Sequence, residues 1–151
     1  MGIDENKVIV QRYIDELITN LDYSRADEIL HEDFTYSWGG GFKGVEGHKQ
    51  HTADIHSMFS NLQARILDMA VEENKAVVLQ EWTAIHDKEL NGIPATNKSF
   101  SWRHAGVLEF KDGKIIRTTT HIVRDDLSFY QDLGVLPSTE EIIRNYNESL
   151  K

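Results

Sequence analysis

The sequence predicts an α+β fold, with helices gathered early and a largely antiparallel sheet behind them. Three observations carry that prediction. Apolar residues Val10, Ile14, Leu17 and Leu21 recur at helical spacing near the N-terminus. Runs rich in β-branched and aromatic residues occupy about 64–72, 75–86, 99–110 and 114–125, most of them separated by turn signals. The strand–helix–strand alternation of a parallel sheet is missing from the pattern.

The first helix is expected over roughly 5–20, with Asp4 as N-cap and Ile9 and Tyr13 widening its apolar stripe. Ser24-Arg25-Ala26-Asp27 has the form of a capping box and opens a short second helix through Leu30, which His31-Glu32-Asp33 ends. Phe34, Tyr36 and Trp38 alternate with Thr35 and Ser37 as a half-buried strand, stopped by Gly39-Gly40-Gly41. Val45 to Phe59 returns to helical spacing, with His48, His51, Ile55 and Phe59 on one side, so histidine stands where core helices carry leucine. Asp87 to Lys98 is a loop containing Asn91-Gly92-Ile93-Pro94, and a short helix near 127–133 ends at Gly134. Pro137 and Ser138-Thr139-Glu140-Glu141 start a terminal helix. Residues 1–137 form one domain in this reading, and 138–151 are its helical extension. His31, His56 and His86 are read as surface or loop residues.

Composition narrows the functions. The chain has 151 residues, 40% hydrophobic and 27% charged, which are globular proportions. A net charge of −9 disfavours nucleic acid and anionic membrane surfaces as partners. Cysteine is absent, which removes disulfides, thiolate zinc sites, iron–sulfur clusters and thiol nucleophiles together. Neither His-x-x-x-His nor His-Glu-x-x-His spacing occurs, so no metal is expected. The segment Met1-Gly2-Ile3-Asp4-Glu5-Asn6 lacks a basic stretch followed by an apolar core, and no stretch approaches the ~20 apolar residues that span a bilayer. The expectation is a cytoplasmic protein with no membrane partner.

Chemistry concentrates on one hairpin. Asp112-Gly113 between alternating runs is a strong hairpin signal. A two-residue turn sets His104 opposite His121, Trp102 opposite Val123, Phe100 opposite Asp125 and Gly106 opposite Thr119. One face then gathers Phe100, Trp102, His104, Leu108, Phe110, His121, Val123 and Asp125, while Arg103, Thr118 and Arg124 point away. A three-residue turn with a glycine bulge turns His121 away from His104 instead. The first register segregates the side chains better, giving a mostly apolar face interrupted by two histidines and an aspartate, as a small-molecule pocket requires.

These residues resemble the SnoaL-like polyketide cyclase family, within the nuclear-transport-factor-two-like superfamily. The resemblance runs in order over about residues 5–137: His31-Glu32-Asp33-Phe34, Gly44-Val45-Glu46-Gly47-His48-Lys49-Gln50, Glu81-Trp82-Thr83-Ala84, Gly92-Ile93-Pro94-Ala95-Thr96, Phe110-Lys111-Asp112-Gly113-Lys114-Ile115, and Asp125-Asp126-Leu127 through Leu133-Gly134. It implies a cone-shaped α+β barrel: a curved, mostly antiparallel sheet with N-terminal helices covering a pocket. It also implies chemistry without metal or cofactor, a homodimer, and a carboxylate at the end of the last strand as acid/base for aldol closure of a polyketide-derived ester. That position falls on Asp125.

The sequence departs from the family at position 121, commonly aromatic and here His; at 106, often acidic and here Gly; and at 48 and 51, usually apolar or aromatic and here His. The resulting expectation is a small-molecule enzyme with Asp125, His121 and His104 as catalytic residues. Tyr36, Trp38, His48, His51, Trp82, Phe100 and Trp102 are expected to bind a small apolar carbonyl-containing molecule. Aldol closure, isomerisation, dehydration and hydrolysis all need similar parts. The alternative is a noncatalytic small-molecule or protein-binding module of the same fold.

Overall fold

A computed structural model describes residues 2–124 and 126–151, with residues 120–124 described in backbone alone. The expected N-terminal helix forms as α1, Ile3–Arg12, and runs on into a π-helical segment, Tyr13–Thr19. Its N-cap is Gly2, two residues earlier than the expected Asp4, and the Gly2 amide donates to Glu5 Oε2 at 2.7 Å. Val10, Ile14 and Leu17 of the apolar stripe are fully enclosed as their spacing requires, whereas Leu21 lies past the helix end at positive φ and is exposed. The expected second helix shrinks to a 3₁₀ turn, Ala26–Glu28, with no side-chain cap. Ser24 presents its backbone N–H to Asp22 Oδ1 instead of capping with its hydroxyl.

Strand β1 spans Leu30–Tyr36, so His31-Glu32-Asp33 belongs to a strand and does not end a helix. Trp38 falls beyond it, in a turn through Gly39, Gly40 and Gly41, all at positive φ, which side chains with a Cβ adopt at a cost. Helix α2, Gly44–Met58, follows, then four long strands: β2 Ser60–Val71, β3 Lys75–His86, β4 Lys98–Lys111 and β5 Lys114–Arg124. Helix α3, Asp126–Asp132, and helix α4, Thr139–Ser149, complete the described elements.

The five strands form one sheet in the order β1-β5-β4-β3-β2, with β1 and β2 as its edges. Consecutive strands β2 to β5 pair antiparallel, whereas β1 lies parallel to β5, so the sheet is mixed. The fold is α+β, as expected. Helices α1 and α2 cover the inner face, and the core runs from Ile9, Ile14 and Leu17 through Phe34 to Val78, Leu108 and Ile115. Two histidines expected at the surface are buried: His86 is fully enclosed, with Nδ1 at 3.0 Å from Thr96 Oγ1, and His31 lies within β1. His56 is half-buried and donates from Nε2 to the Ile18 carbonyl at 2.7 Å.

The β4–β5 hairpin keeps its expected turn and loses its expected register. Asp112 and Gly113 sit at φ 50 and 72, and Lys111 pairs with Lys114 and Phe110 with Ile115. The ladder then slips by a residue, because Glu109 pairs with Arg117 and Leu108 with Thr118. A one-residue slip exchanges the faces, so Thr118, expected outside, is buried opposite Leu108. A second irregularity sets Ala105 against Val123 and His104 against Arg124, so His104 does not face His121 and Trp102 does not face Val123. Asp125, expected opposite Phe100, lies outside the described residues.

On the outer face of the sheet, Glu81 receives Arg65 Nη2 at 2.5 Å and Arg103 Nε at 3.0 Å. Hydrogen bonds from these two guanidiniums hold its carboxyl down at about 2. Helix α4 has its expected capping box, Ser138 with Glu141, yet buries no residue. No helix among the described residues is long and apolar enough to cross a membrane.

Candidate functional site

The inner face of β3 alternates Ala76, Val78, Gln80, Trp82 and Ala84, and that of β4 alternates Phe100, Trp102, His104 and Leu108. Where these faces meet the π-helical segment, α2 and α3, the side chains leave a cavity of about 270 Å³. Ile18, Ile55, Phe59, Leu90 and Phe129 give it apolar walls. Tyr13, His51, Thr52, Gln80, His104 and Thr118 contribute polar atoms to the same walls. An apolar enclosure with a few convergent polar groups is the usual make-up of a small-molecule site.

His104 is held among aromatic rings. Its imidazole meets Trp82 edge-on, with ring centroids 5.2 Å apart at 61°, and meets Trp102 at 6.4 Å and 65°. Gln80 pairs with His104 across the β3–β4 ladder, and its Oε1 accepts from Trp82 Nε1 at 2.9 Å, which fixes the indole. Trp102 stacks on Phe129 of α3 at 5.4 Å and 25°, so the short helix closes that side.

Beneath the opposite wall lies His48, fully buried on α2 between two phenols. Tyr23 Oη is 2.6 Å from its Nδ1, and Tyr13 Oη is 3.0 Å from its Nε2. Thr52 Oγ1 donates to the His48 carbonyl at 3.0 Å. Burial, helped by the nearby His51, pushes the His48 imidazole down to about 3, so it stays neutral. Burial likewise pushes the Tyr13 and Tyr36 phenols far above their ordinary value and Tyr23 up to about 12. All three remain protonated, as donors.

Of the residues expected to form the site, Tyr36, His51, Trp82, Trp102 and His104 line the cavity together. Three do not reach it. His48 is sealed behind Tyr13 and Tyr36, because its helical position faces the core rather than the cavity. Trp38 is 41% exposed, since β1 ends two residues before it, and its ring stacks on Tyr36 at 5.0 Å. Phe100 packs behind the wall against Phe59 and Phe129. The side chain of His121 and all of Asp125 lie outside the described residues.

Sequence reasoning passed over Tyr13, Gln80, Thr118 and Phe129 as cavity residues. Gln80 had a signal: it is the polar interruption in an inward alternation of Ala76, Val78, Trp82 and Ala84. Thr118 had none, because the bulge that turns it inward leaves no mark in the hydrophobic pattern.

The model of the SnoaL-like polyketide cyclases matches residues 8–133. The chain belongs to the SnoaL-like polyketide cyclase family. Solved structures agree on the fold. TsrD from Streptomyces laurentii is 20% identical at a TM-score of 0.76, over 90% of this chain and 99% of that one. A SnoaL-like polyketide cyclase from Agrobacterium tumefaciens is 12% identical at 0.73, over 85% and 97%. AclR from Streptomyces galilaeus, a candidate hydroxylase, is 20% identical at 0.71, over 90% and 100%. At these identities the likeness shows the shared fold alone. No curated protein matches the sequence.

Proposed function

We propose that this SnoaL-like protein binds a small, mostly apolar carbonyl compound in the cavity and moves a proton at the carbon beside its carbonyl. Asp125 is the acid/base, and His104 and His121 hold or polarise the oxygen. The Asp125 carboxylate takes the α-proton, the enolate carbon attacks a second carbonyl of the same molecule, and the new alkoxide regains the proton from Asp125. One carbon–carbon bond forms and no oxidant, metal or cofactor enters the balance. Ring closure of this kind follows the family; isomerisation or dehydration would use the same first proton transfer, and hydrolysis would have the Asp125 carboxylate take a proton from water instead.

The observation that supports the reading is the setting of His104. Its imidazole is on the wall of an aromatic-lined cavity, and its backbone pairs with Arg124, the residue directly before Asp125 in the chain. A positioned acid/base contributes about 10²–10⁴-fold to such a step.

The test needs no knowledge of the natural substrate. In D₂O, the wild-type protein is expected to speed deuterium uptake at the α-carbon of 1-tetralone over buffer, read by proton NMR. Asp125→Asn is expected to keep binding and lose that acceleration by about 10²-fold or more. Exchange no faster than buffer, with 1-tetralone bound, overturns the enzyme reading in favour of a noncatalytic binding module. We further read the chain as a homodimer through the outer sheet face, where Val77 and Leu79 are exposed; light scattering at the mass of one chain overturns that.

A further inference from the structure

The buried Tyr23–His48–Tyr13 chain has a direction. A neutral imidazole carries one N–H donor and one acceptor nitrogen, so one phenol must give it a proton and the other must receive one. The Tyr23–Nδ1 separation of 2.6 Å is the shorter of the two and falls within the range of O–H donors. The Tyr13–Nε2 separation of 3.0 Å is the common N–H···O distance. The shorter contact favours Tyr23 as the donor to Nδ1, with Nε2–H donating to Tyr13 Oη. That leaves the Tyr13 hydroxyl proton unused by His48, and Tyr13 lines the cavity.

Two further features converge on the same spot. Thr118, 1% exposed and also on the cavity wall, lies beside the Tyr13 phenol, and its Oγ1 has no hydrogen-bond partner of good geometry. Buried polar atoms left in this state are rare, and a ligand oxygen placed between the two hydroxyls would satisfy this one. Tyr13 is also the residue at which α1 gives way to the π-helical segment, a distortion found frequently at functional sites.

We propose that Tyr13 and Thr118 form an oxygen-binding subsite that takes a carbonyl or enolate oxygen of the ligand, with His48 and Tyr23 as positioning residues that aim the Tyr13 proton into the cavity. The inference rests on the cavity's being a carbonyl site and adds the donors that face the developing negative charge. Hydrogen bonds in series polarise one another, so the Tyr23 end strengthens the Tyr13 donor. Preorganised donors of this type are effective because they need no reorientation as charge develops.

The probe is 4-nitrophenol, whose phenolate is an enolate mimic and whose absorption distinguishes its two protonation states. Wild-type protein is expected to bind the phenolate and to raise its fraction over that in buffer. Tyr13→Phe is expected to weaken phenolate binding about tenfold to hundredfold, the span of a hydrogen bond to a charged oxygen. Tyr23→Phe leaves Tyr13 in place and is expected to weaken it less while moving the bound spectrum toward the neutral phenol, a signature that lost packing does not produce. Without any ligand or variant, the ¹⁵N shifts of His48 are expected to show Nε2 protonated and Nδ1 unprotonated.

An unchanged affinity and spectrum in Tyr13→Phe, no binding of the probe by wild type at millimolar concentration, or the opposite His48 tautomer each overturns the proposal. None of these touches deuterium exchange into 1-tetralone, whose failure overturns the proton-transfer reading and leaves a Tyr13-dependent phenolate site standing.

Discussion

Acid should destabilise this protein through His48 before its carboxylates titrate. The imidazole is fully buried, and its folded value lies near 3 against an ordinary 6.5, set first by desolvation and then by His51. Between those values the unfolded chain takes a proton that the folded chain refuses, so stability is complete above about pH 6.5 and falls as pH drops toward 3. Going from pH 7.5 to 5 costs about 2 kcal/mol through this one group. That is a sizeable share of the 5–15 kcal/mol by which domains are commonly stable. The perturbation that isolates it is His48→Gln, which keeps an amide donor and acceptor and does not titrate. Urea unfolding of both proteins at the two pH values should show the wild type losing about 2 kcal/mol more than the variant. Equal losses, or a His48 ring proton titrating near 6.5 in the folded protein, would refute a buried neutral imidazole.

Other predictions follow from burial and charge. Leu17→Ala removes a fully enclosed side chain under the sheet and should cost about 3 kcal/mol in urea unfolding. Glu81→Gln should cost less than about 1 kcal/mol, and less still in high salt, because its partner guanidiniums Arg65 and Arg103 are 67% and 62% exposed. Ending the chain after Pro137 removes a helix that buries nothing, so stability should stay within about 0.5 kcal/mol, while a larger loss would show that α4 packs on the domain.

The elements were legible where one physical rule decides them. The stripe of Val10, Ile14 and Leu17 needs a helix to be buried, and Asp112-Gly113 needs a tight turn. The π-helical segment at Tyr13 was not legible, since the apolar spacing there is shared by α- and π-helical backbones. Strand β1 was read four residues late at its start, where Leu30 was taken as helix, and two residues late at its end, where Trp38 continues the alternation of Phe34 and Tyr36 beyond the last ladder bond. Its parallel pairing with β5 depends on a tertiary partner far along the chain.

The site divides in the same way. Trp82, Trp102 and His104 follow from alternation on strands whose faces were correctly read. His48 and His51 share a helical face on paper, yet three residues of helix separate an imidazole in the core from one on the cavity wall. The His104–His121 pairing failed because bulges carry the turn's register only a few residues, and a slip of one residue moved Thr118 into the cavity.

The central claim is that a carbonyl ligand occupies the cavity between β3, β4 and α3, and the three tryptophans report on it directly. Trp82 and Trp102 line the cavity, while Trp38 stands outside it in the glycine turn. In a ¹H–¹⁵N titration with 1-tetralone, the indole N–H peaks of Trp82 and Trp102 should shift together and saturate, with Trp38 moving least. Shifts confined to Trp38, or none at a saturating concentration, would contradict the account.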